Sequence, residues 1–280
     1  MPRAWCLIRE QPAYRREAFA AGLAAAGFAV ECQDYARCRI PFAEIGADDA
    51  LVVWNRYGTV ENLAREFEAR RGRVLVAENG YLGADAEGRQ HYSLAVGGHN
   101  GSGRWHVGGP ERWERLGIEI GPWRRDGAHV LVCPNRPFGP RGLAMHSRWG
   151  EECAARLRML TRREVRLRPH PGNWQRDAAT VREGLMRDLD GAWACVIWAS
   201  SAGLHALLAG IPVICEAPSW IARRSAFEAD CAPDAVDVAS PWMRMGADAT
   251  RLETFRALAW HQWTVDELAG GEPFRLLMAL

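Results

Sequence analysis

The sequence contains no lysine, so all 35 of its basic residues are arginines. They are almost balanced by 34 acidic residues, which leaves a formal net charge of +1. A chain with this balance has no overall attraction to nucleic acid or to an anionic membrane, and either partner would need a local basic patch. Arginine still favours phosphate binding locally, because its planar guanidinium donates two parallel hydrogen bonds.

Two further features are missing. The eight cysteines form no C-x-x-C pair and several lie in apolar runs, so neither a disulfide framework nor a zinc site is expected. No apolar run approaches the roughly 18 residues that span a membrane, and no long apolar segment follows Arg3 as a signal peptide would require. We therefore expect a soluble protein of the reducing cytoplasm.

What the sequence does contain is a repeated alternation of short apolar runs and amphipathic stretches. This pattern favours mainly parallel sheets covered on both faces by helices. The predicted strands are residues 3–8, 28–33, 50–54, 73–78, 129–133, 164–168, 194–198 and 212–215. The predicted helices are residues 14–26, 59–71, 146–160, 175–189 and 201–209, with further helix in the last 30 residues.

The alternation breaks between residues 80 and 125. The glycine-rich residues 97–106 have no periodicity and predict a long loop, a kind of segment that often carries function. With the boundary near residues 122–127, residues 1–125 are predicted to form an acceptor-binding Rossmann-like lobe. Residues 126–280 are predicted to form a nucleotide-sugar-binding Rossmann-like lobe whose terminal helices pack back.

The most informative segment is Trp-Ala-Ser-Ser-Ala-Gly-Leu-His-Ala-Leu-Leu-Ala-Gly-Ile-Pro-Val-Ile, residues 198–214. An apolar strand ends at Ser200 and Ser201, and a helix follows with Gly203 in its first turn. Backbone N–H groups at a helix start bind anions. The two hydroxyls would cap the helix or bind a phosphate, and Gly203 would let a diphosphate approach the backbone. The alternative is an ordinary N-cap of a Rossmann-like helix.

Other polar residues follow neighbouring strands and are predicted to face the same ligand. Arg168 and His170, in an Arg-Pro-His-Pro run, follow the strand 164–168 and suit phosphate. Arg136 lies in the loop after strand 129–133. Glu216 would accept hydrogen bonds from ribose hydroxyls, or else is a solvated carboxylate. The predicted donor-binding set is Arg136, Arg168, His170, Ser200, Ser201, Gly203, His205 and Glu216.

The Arg-Pro-His-Pro run and the 198–214 segment together resemble the donor half of GT-B glycosyltransferases, especially bacterial capsular Kdo transferases and related polysaccharide transferases. Residues 77–83, Ala-Glu-Asn-Gly-Tyr-Leu-Gly, resemble the E-D-G-F-L-R element of those enzymes, with Asn79 in place of Asp and Gly83 in place of Arg. The resemblance implies a GT-B α/β fold, with two Rossmann-like lobes and a donor site in the cleft. It also implies a nucleotide-sugar donor, of the UDP-sugar type, and no obligatory metal.

The chain is also similar to phage-encoded glycosyltransferases that modify hydroxymethylated pyrimidines in DNA, which would place it in the host cytoplasm. The similarity lies in size and in the N-R-Y-G, E-N-G-Y and G-G-H-N-G elements. An inverting transfer needs a base for the acceptor hydroxyl. Glu78, at the end of a strand beside Gly80, is the first candidate and His99 is the second. The alternatives are a salt-bridged or capping carboxylate and a solvated loop histidine.

Four residues of the first lobe's loops are predicted to bind the acceptor: Arg56, Tyr57, Arg104 and Trp105. In a DNA acceptor, arginines would hold phosphates and an aromatic ring would replace base stacking. The leading hypothesis is transfer from a UDP-glucose-like donor to 5-hydroxymethylpyrimidine in phage DNA. A transferase acting on a bacterial surface polysaccharide or lipopolysaccharide is the second. The third is a non-catalytic nucleotide-binding module, which would bind the donor without turnover.

Overall fold

The computed structural model describes residues 1–140, 142–173, 178–228, 241 and 248–280. Cys231 and residues 175–177, where the helix predicted at 175–189 would begin, lie outside these ranges. The chain divides into two compact units, one formed by Met1–Leu116 with Arg256–Leu280 and the other by Gly117–Phe255. Both have a mainly parallel sheet with helices, as the alternating pattern predicted.

The first unit is built on a six-stranded sheet in the order β11-β5-β4-β3-β1-β2. Strands β1 to β4 are parallel, whereas β5 and β11 run antiparallel to their neighbours. The central strands are almost wholly apolar because helices cover both faces. The strands are β1 (Arg3–Cys6), β2 (Ala29–Cys32), β3 (Ala50–Trp54), β4 (Arg73–Ala84), β5 (Gln90–Val96) and β11 (Gln262–Trp263), and the helices α1 (Ala13–Ala25), α2 (Thr59–Ala69), α3 (Glu111–Leu116), α8 (Val265–Ala269) and α9 (Glu272–Met278).

The second unit has, within its described residues, five parallel strands in the order β10-β9-β8-β6-β7. Its core lies between this sheet and α4, where Trp149 and Leu157 are buried. The strands are β6 (His129–Cys133), β7 (Glu164–Leu167), β8 (Ala192–Ile197), β9 (Val213–Cys215) and β10 (Phe227–Glu228), and the helices α4 (Trp149–Leu160), α5 (Ala178–Leu189) and α6 (Ala202–Leu208). Helix α7 (Asp248–Ala259) begins in this unit, and its last four residues belong to the first.

Residues 80–125 are more regular than the sequence predicted. β4 continues past Glu78 to Ala84, and β5 returns beside it after a turn in which Arg89 bonds Asp85. β5 escaped prediction because two polar side chains, His91 and Ser93, are buried in it and break the apolar pattern. Gly80 is not in a flexible loop, since a Cβ there would lie 2.6 Å from the His91 carbonyl oxygen.

The last residues of the chain complete the first unit. β11 pairs with β5, and the buried Arg112 of α3 donates to the Ala259 and Gln262 carbonyl oxygens and to the Glu267 carboxylate at 2.8–3.0 Å. The same guanidinium stacks 3.9 Å from the Trp263 ring. This segment therefore belongs to the fold of the first unit and not to that of the second.

The division between the units falls after Leu116, whereas the sequence predicted a boundary near residues 122–127. The linking segment already packs on the second unit, because Gly121 N–H donates to Leu208 O at 2.8 Å and Arg124 N–H to Gly210 O at 2.7 Å. In the ranges given above, no helix combines the length and apolar character needed to cross a membrane. The seven cysteines found there form no disulfide.

Substituting Gly22 with alanine will destabilise the first unit. A Cβ at this position of α1 would lie 1.8 Å from the Leu268 carbonyl oxygen of α8, and a backbone atom shifts less readily than the end of a flexible side chain. We expect a loss of at least about 2 kcal/mol in the free energy of unfolding, measured by urea denaturation. Gly46→Ala is the control, because its Cβ would meet only Asp49 at 3.9 Å. Equal stability of the two variants would contradict close packing of α1 on α8.

Candidate active site

Glu78 lies at the carboxyl edge of the first unit's parallel strands, one residue beyond the Trp54–Ala77 pair of β3 and β4. Its Oε1 accepts a hydrogen bond from the Tyr81 hydroxyl and one from the Asn100 N–H, at 2.7 Å. Burial raises the pKa of Glu78 to about 7, and the two hydrogen bonds offset only part of this effect. The carboxyl therefore exchanges its proton near neutral pH.

The strand that carries Glu78 has an irregular register between Asn79 and Ala84. The side-chain amide of Gln262, 1 % exposed, bonds the backbone groups released there. Its Oε1 accepts from the N–H groups of Tyr81 and Leu82 at 3.0 Å, and its Nε2 donates to the Leu82 carbonyl oxygen. The bulge turns Tyr81 back toward Glu78 instead of leaving it on the regular strand.

The glycine-rich residues 97–104 form a tight turn closed by paired backbone hydrogen bonds between Val96 and Arg104, at 2.7 and 3.0 Å. Ser102 Oγ donates to the His99 carbonyl oxygen at 2.7 Å. Asn100 adopts a left-handed backbone conformation with φ 48°, which directs its N–H at Glu78. The turn is thus a structured part of the site.

Two histidines, His99 of this turn and His261, are in their neutral form. Burial, assisted by Arg56, lowers the pKa of His99 to about 4. His261 is 1 % exposed, and burial, assisted by His99, lowers its pKa to about 3. Within the described parts of the chain, His99 Nδ1 and both ring nitrogens of His261 are buried without a hydrogen-bond partner. The Trp105 ring packs edge-on against His261 at 4.5 Å.

Three of the four predicted acceptor residues belong to this turn or lie next to it. Arg56 bonds the carboxylates of Glu61 and Glu68 and the Gly97 carbonyl oxygen at 2.6–2.8 Å, which ties α2 to the turn. Trp105 Nε1 donates to the Ala257 carbonyl oxygen at 3.0 Å. Arg104 takes part through its backbone, and its side chain is exposed.

Tyr57, the fourth predicted acceptor residue, lines a separate pocket of about 240 Å³. The pocket lies where β1 and β3 end, and Arg9, Tyr35 and Trp54 also line it. Tyr57 is 40 % exposed and Tyr35 is 41 % exposed. Aromatic faces with one guanidinium suit a sugar ring that carries polar substituents. Trp54 pairs with Ala77, so this pocket and Glu78 occupy neighbouring positions along one sheet edge.

In the second unit, four predicted donor residues line one pocket of about 90 Å³ at the carboxyl ends of β6, β7 and β8: Arg168, His170, Ser200 and Ser201. His170 Nδ1 accepts from the Gly172 N–H at 2.9 Å, so the neutral ring carries its proton on Nε2. Burial, followed by the charge of Arg136, lowers the pKa of His170. The Arg136 guanidinium lies against Gly172, where a Cβ would come within 2.5 Å of it.

Ser200 and Ser201 differ in their hydrogen bonding and exposure. Ser200 Oγ accepts from the Ala202 N–H at 3.3 Å, whereas Ser201 makes no side-chain cap and is exposed. Gly203 is required for packing, because a Cβ there would lie 2.7 Å from Ile197 and 2.8 Å from Trp220. The close approach at Gly203 is therefore made by protein side chains.

Three predicted donor residues, Arg168 of the pocket lining and two outside it, interact with other residues of the second unit. Arg168 is paired with the Asp188 carboxylate and donates to the Val181 carbonyl oxygen at 3.2 Å. Glu216 accepts from Trp149 Nε1 at 2.7 Å and from Arg156 at 2.6 Å, so both oxygens are bonded. His205 lies outside the pocket lining, and burial, followed by Arg182, lowers its pKa to about 4.

The two units thus offer different chemistry. The first has a carboxyl that titrates near pH 7 beside neutral imidazoles, which suits proton transfer. The second has a guanidinium, an imidazole N–H and a hydroxyl, which suit an anion. No cluster of three or more metal-ligating side chains of the kinds His, Cys, Asp and Glu was found in the described ranges.

Sequence reasoning missed several of these residues. His261 and Gln262 gave no signal, because their contacts with Trp105 and Tyr81 join residues more than 150 positions apart along the chain. Arg9 and Tyr35 were detectable, since they follow the first two predicted strands and carboxyl ends of parallel strands share one edge. Tyr81 was part of the E-N-G-Y element, but its bond to Glu78 depends on the bulge.

Solved structures with this fold include two Kdo transferases. The chain aligns with the KpsC β-Kdo 2,4 transferase of Thermosulfurimonas dismutans at a TM-score of 0.52 and 14% identity, over 91% of this chain and 89% of that one. For the β-Kdo 2,7 transferase of the same KpsC the TM-score is 0.54 and the identity 12%, over 97% and 98%. No protein-family model and no curated protein sequence matches. The predicted α/β fold class is confirmed. Sequence identities this low show a shared fold alone.

Glu78→Gln will remove a pH dependence of stability. The unfolded carboxyl titrates near 4.5 and the native one near 7, so between these values the native state holds a proton that the unfolded state has lost. The contribution of Glu78 is complete below pH 4.5 and disappears as the pH rises to about 7. Relative to Glu78→Gln, wild-type stability should fall by up to about 3 kcal/mol over this window in urea denaturation.

Glu66→Gln is the matched control for this experiment, because Glu66 is exposed on α2. Its stability should run parallel to that of wild type across the same pH series. Parallel curves for Glu78→Gln and wild type would instead place the Glu78 pKa at its ordinary value.

Proposed function

We propose that this protein is a glycosyltransferase that moves a sugar from a nucleotide-sugar donor to a hydroxyl group of a bacterial surface polysaccharide or lipopolysaccharide. The observation that carries the proposal is Glu78, a carboxyl with a pKa near 7, in a fold shared with two Kdo transferases. The second unit would hold the donor and the first unit the acceptor.

Glu78 is the proposed base for the acceptor hydroxyl. A general base works best when its pKa is close to the working pH, and Glu78 meets this condition. The pKa of His99, near 4, leaves that imidazole a much weaker base. Tyr81 and the Asn100 N–H orient the carboxyl through Oε1, which leaves Oε2 for the acceptor.

The donor phosphate is proposed to bind to the second unit through Arg136, the Nε2–H of His170 and the Ser201 hydroxyl. Positive charge and N–H donors aimed at a leaving phosphate stabilise the transition state without a metal. Arg168 would act indirectly, because its pairing with Asp188 fixes the strand end that carries His170. A UDP-sugar is our first choice of donor, and nucleotide-activated Kdo is the alternative favoured by the fold.

A glycan acceptor is preferred over DNA for two reasons. The pocket lined by Arg9, Tyr35 and Tyr57 is small, with a volume of about 240 Å³, which suits one sugar ring. Arg56, one of two arginines predicted to bind DNA phosphates, has its donors engaged by Glu61, Glu68 and Gly97. Hydroxymethylpyrimidine DNA stays the second acceptor to be tested.

The deciding experiment incubates the purified protein with UDP-glucose or nucleotide-activated Kdo and with one of two acceptors, a capsular or lipopolysaccharide core oligosaccharide or 5-hydroxymethylpyrimidine DNA. Products are analysed by mass spectrometry. We expect a sugar-sized mass gain on the oligosaccharide, reduced by at least about 100-fold in Glu78→Gln and unchanged in Glu66→Gln. Donor binding by Glu78→Gln should persist, because the donor belongs to the other unit.

Each of the other outcomes would change one part of the proposal. A mass gain on DNA alone would replace the glycan acceptor with the DNA acceptor. Donor binding without any product on either acceptor would support a nucleotide-binding module and overturn the transferase proposal. Full activity of Glu78→Gln would exclude Glu78 as the base.

Donor affinity gives an independent prediction for the second unit. His170→Ala and Arg136→Gln should each weaken binding of the donor nucleotide about tenfold, because each removes a hydrogen bond to a charged phosphate. Isothermal titration calorimetry with the nucleotide alone measures the dissociation constant. Arg162→Gln is the control, since Arg162 is an exposed arginine of the same unit. Equal affinities in all three variants would place the donor phosphate elsewhere.

A further inference from the structure

Two cysteines lie side by side at the edge of the first unit's sheet. Cys6 ends β1 and Cys32 ends the edge strand β2, and the parallel register pairs them directly. Paired residues of neighbouring strands point to the same face, and such strands lie about 4.8 Å apart. This separation falls within the range of Cα distances that a disulfide spans, about 4.4–6.8 Å.

The two sulfurs differ in accessibility. Cys32 is exposed on the edge strand, whereas Cys6 is fully buried behind it. Arg16 of α1 interacts electrostatically with the Cys32 thiol. A cation beside an exposed thiol favours its thiolate, which is the nucleophilic form. The pair therefore combines a reachable sulfur with a second sulfur directly behind it.

The titration of the pair agrees with this geometry. The hydrogen bond between the two thiols, assisted by Arg16, lowers the pKa of Cys32. The same hydrogen bond, assisted by burial, raises the pKa of Cys6. Burial raises the pKa of Cys38, a half-buried cysteine six residues further along the chain.

The second unit also contains a pair of neighbouring cysteines. Cys133 and Cys195 lie close together on β6 and β8, but both are buried. An oxidant dissolved in water cannot reach either sulfur without local unfolding. Among the cysteines in the described ranges, Cys32 and Cys6 are the neighbouring pair with one exposed sulfur.

We propose that Cys32 and Cys6 form a reversible thiol–disulfide site, in which Cys32 reacts with a hydroperoxide and Cys6 completes the disulfide. The Cys32 thiolate attacks one peroxide oxygen, which breaks the O–O bond, forms a sulfenic acid and releases hydroxide or alkoxide. The Cys6 sulfur then attacks the Cys32 sulfur and breaks the S–O bond, and the hydroxyl leaves with the Cys6 proton as water. The two sulfurs together lose two electrons, which the hydroperoxide takes up.

The disulfide would join the ends of β1 and β2. Arg9 and Tyr35 extend from these two ends and line the 240 Å³ pocket. Oxidation would therefore fix the distance between two walls of that pocket. The chemistry itself depends only on the sulfurs and does not rest on the proposed transferase activity.

The test uses the reduced full-length protein and dilute hydrogen peroxide. Remaining thiols are alkylated, the protein is digested, and peptides are identified by mass spectrometry. We expect one cross-linked peptide that joins Cys6 to Cys32 and that dithiothreitol separates. Before oxidation, Cys32 should react with iodoacetamide at pH 7 at least about tenfold faster than Cys38.

Three variants give the controls. Cys38→Ser should keep the cross-link, and Cys32→Ser should lose it. Cys6→Ala should stop at a sulfenic acid on Cys32 that dimedone traps. Oxidation of Cys32 to a sulfinic acid, or its cross-linking to another copy, while Cys6 of the wild type stays reduced, would overturn the proposal. The wild-type measurement decides the matter even if Cys6→Ala fails to fold.

Discussion

The first unit's candidate site depends on one buried side-chain amide. A strand that bulges releases backbone N–H and C=O groups from its ladder, and burying such groups unbonded costs about 1–3 kcal/mol each. Gln262 bonds three of them at once, from a segment that returns to this unit after residue 255. The bulge can then exist in a buried place, and it directs Tyr81 at Glu78. Without that amide the three backbone groups of the bulge that positions Tyr81 would lose their hydrogen-bond partner.

The two units differ in how their arginine side chains are paired. In the first, Arg56 and Arg112 bond carboxylates and carbonyl groups of the fold, and burial raises the pKa of Glu78. In the second, Arg136 is exposed and His170 is half-buried. Because His170 Nδ1 accepts a hydrogen bond, Nε2 carries the proton of the neutral ring and can donate it to a ligand. The groups suited to proton transfer and those suited to anion binding thus lie in different units.

Much of this architecture was predictable. β3 and β6 coincide with their predicted bounds, since uninterrupted apolar runs of that length are buried parallel strands. β5 was not predictable, because burying His91 and Ser93 depends on a neighbouring strand and on a distant glutamine. Of the site, Glu78 and the His170–Ser200 neighbourhood followed from strand ends. His261 and the roles of Gly203 and Glu216 did not, because each is decided by packing partners that local sequence does not reveal.

The interrupted chain order of the first unit has a consequence for synthesis on the ribosome. Residues 117–255 form one contiguous unit and can fold as soon as they emerge, at roughly 5–20 residues per second. The first 116 residues are made earlier but must wait for residues 256–280 to supply the partner of β5 and the cover of α1. During that interval the nascent chain presents an unpaired strand edge, which is a site for chaperone binding or misassociation.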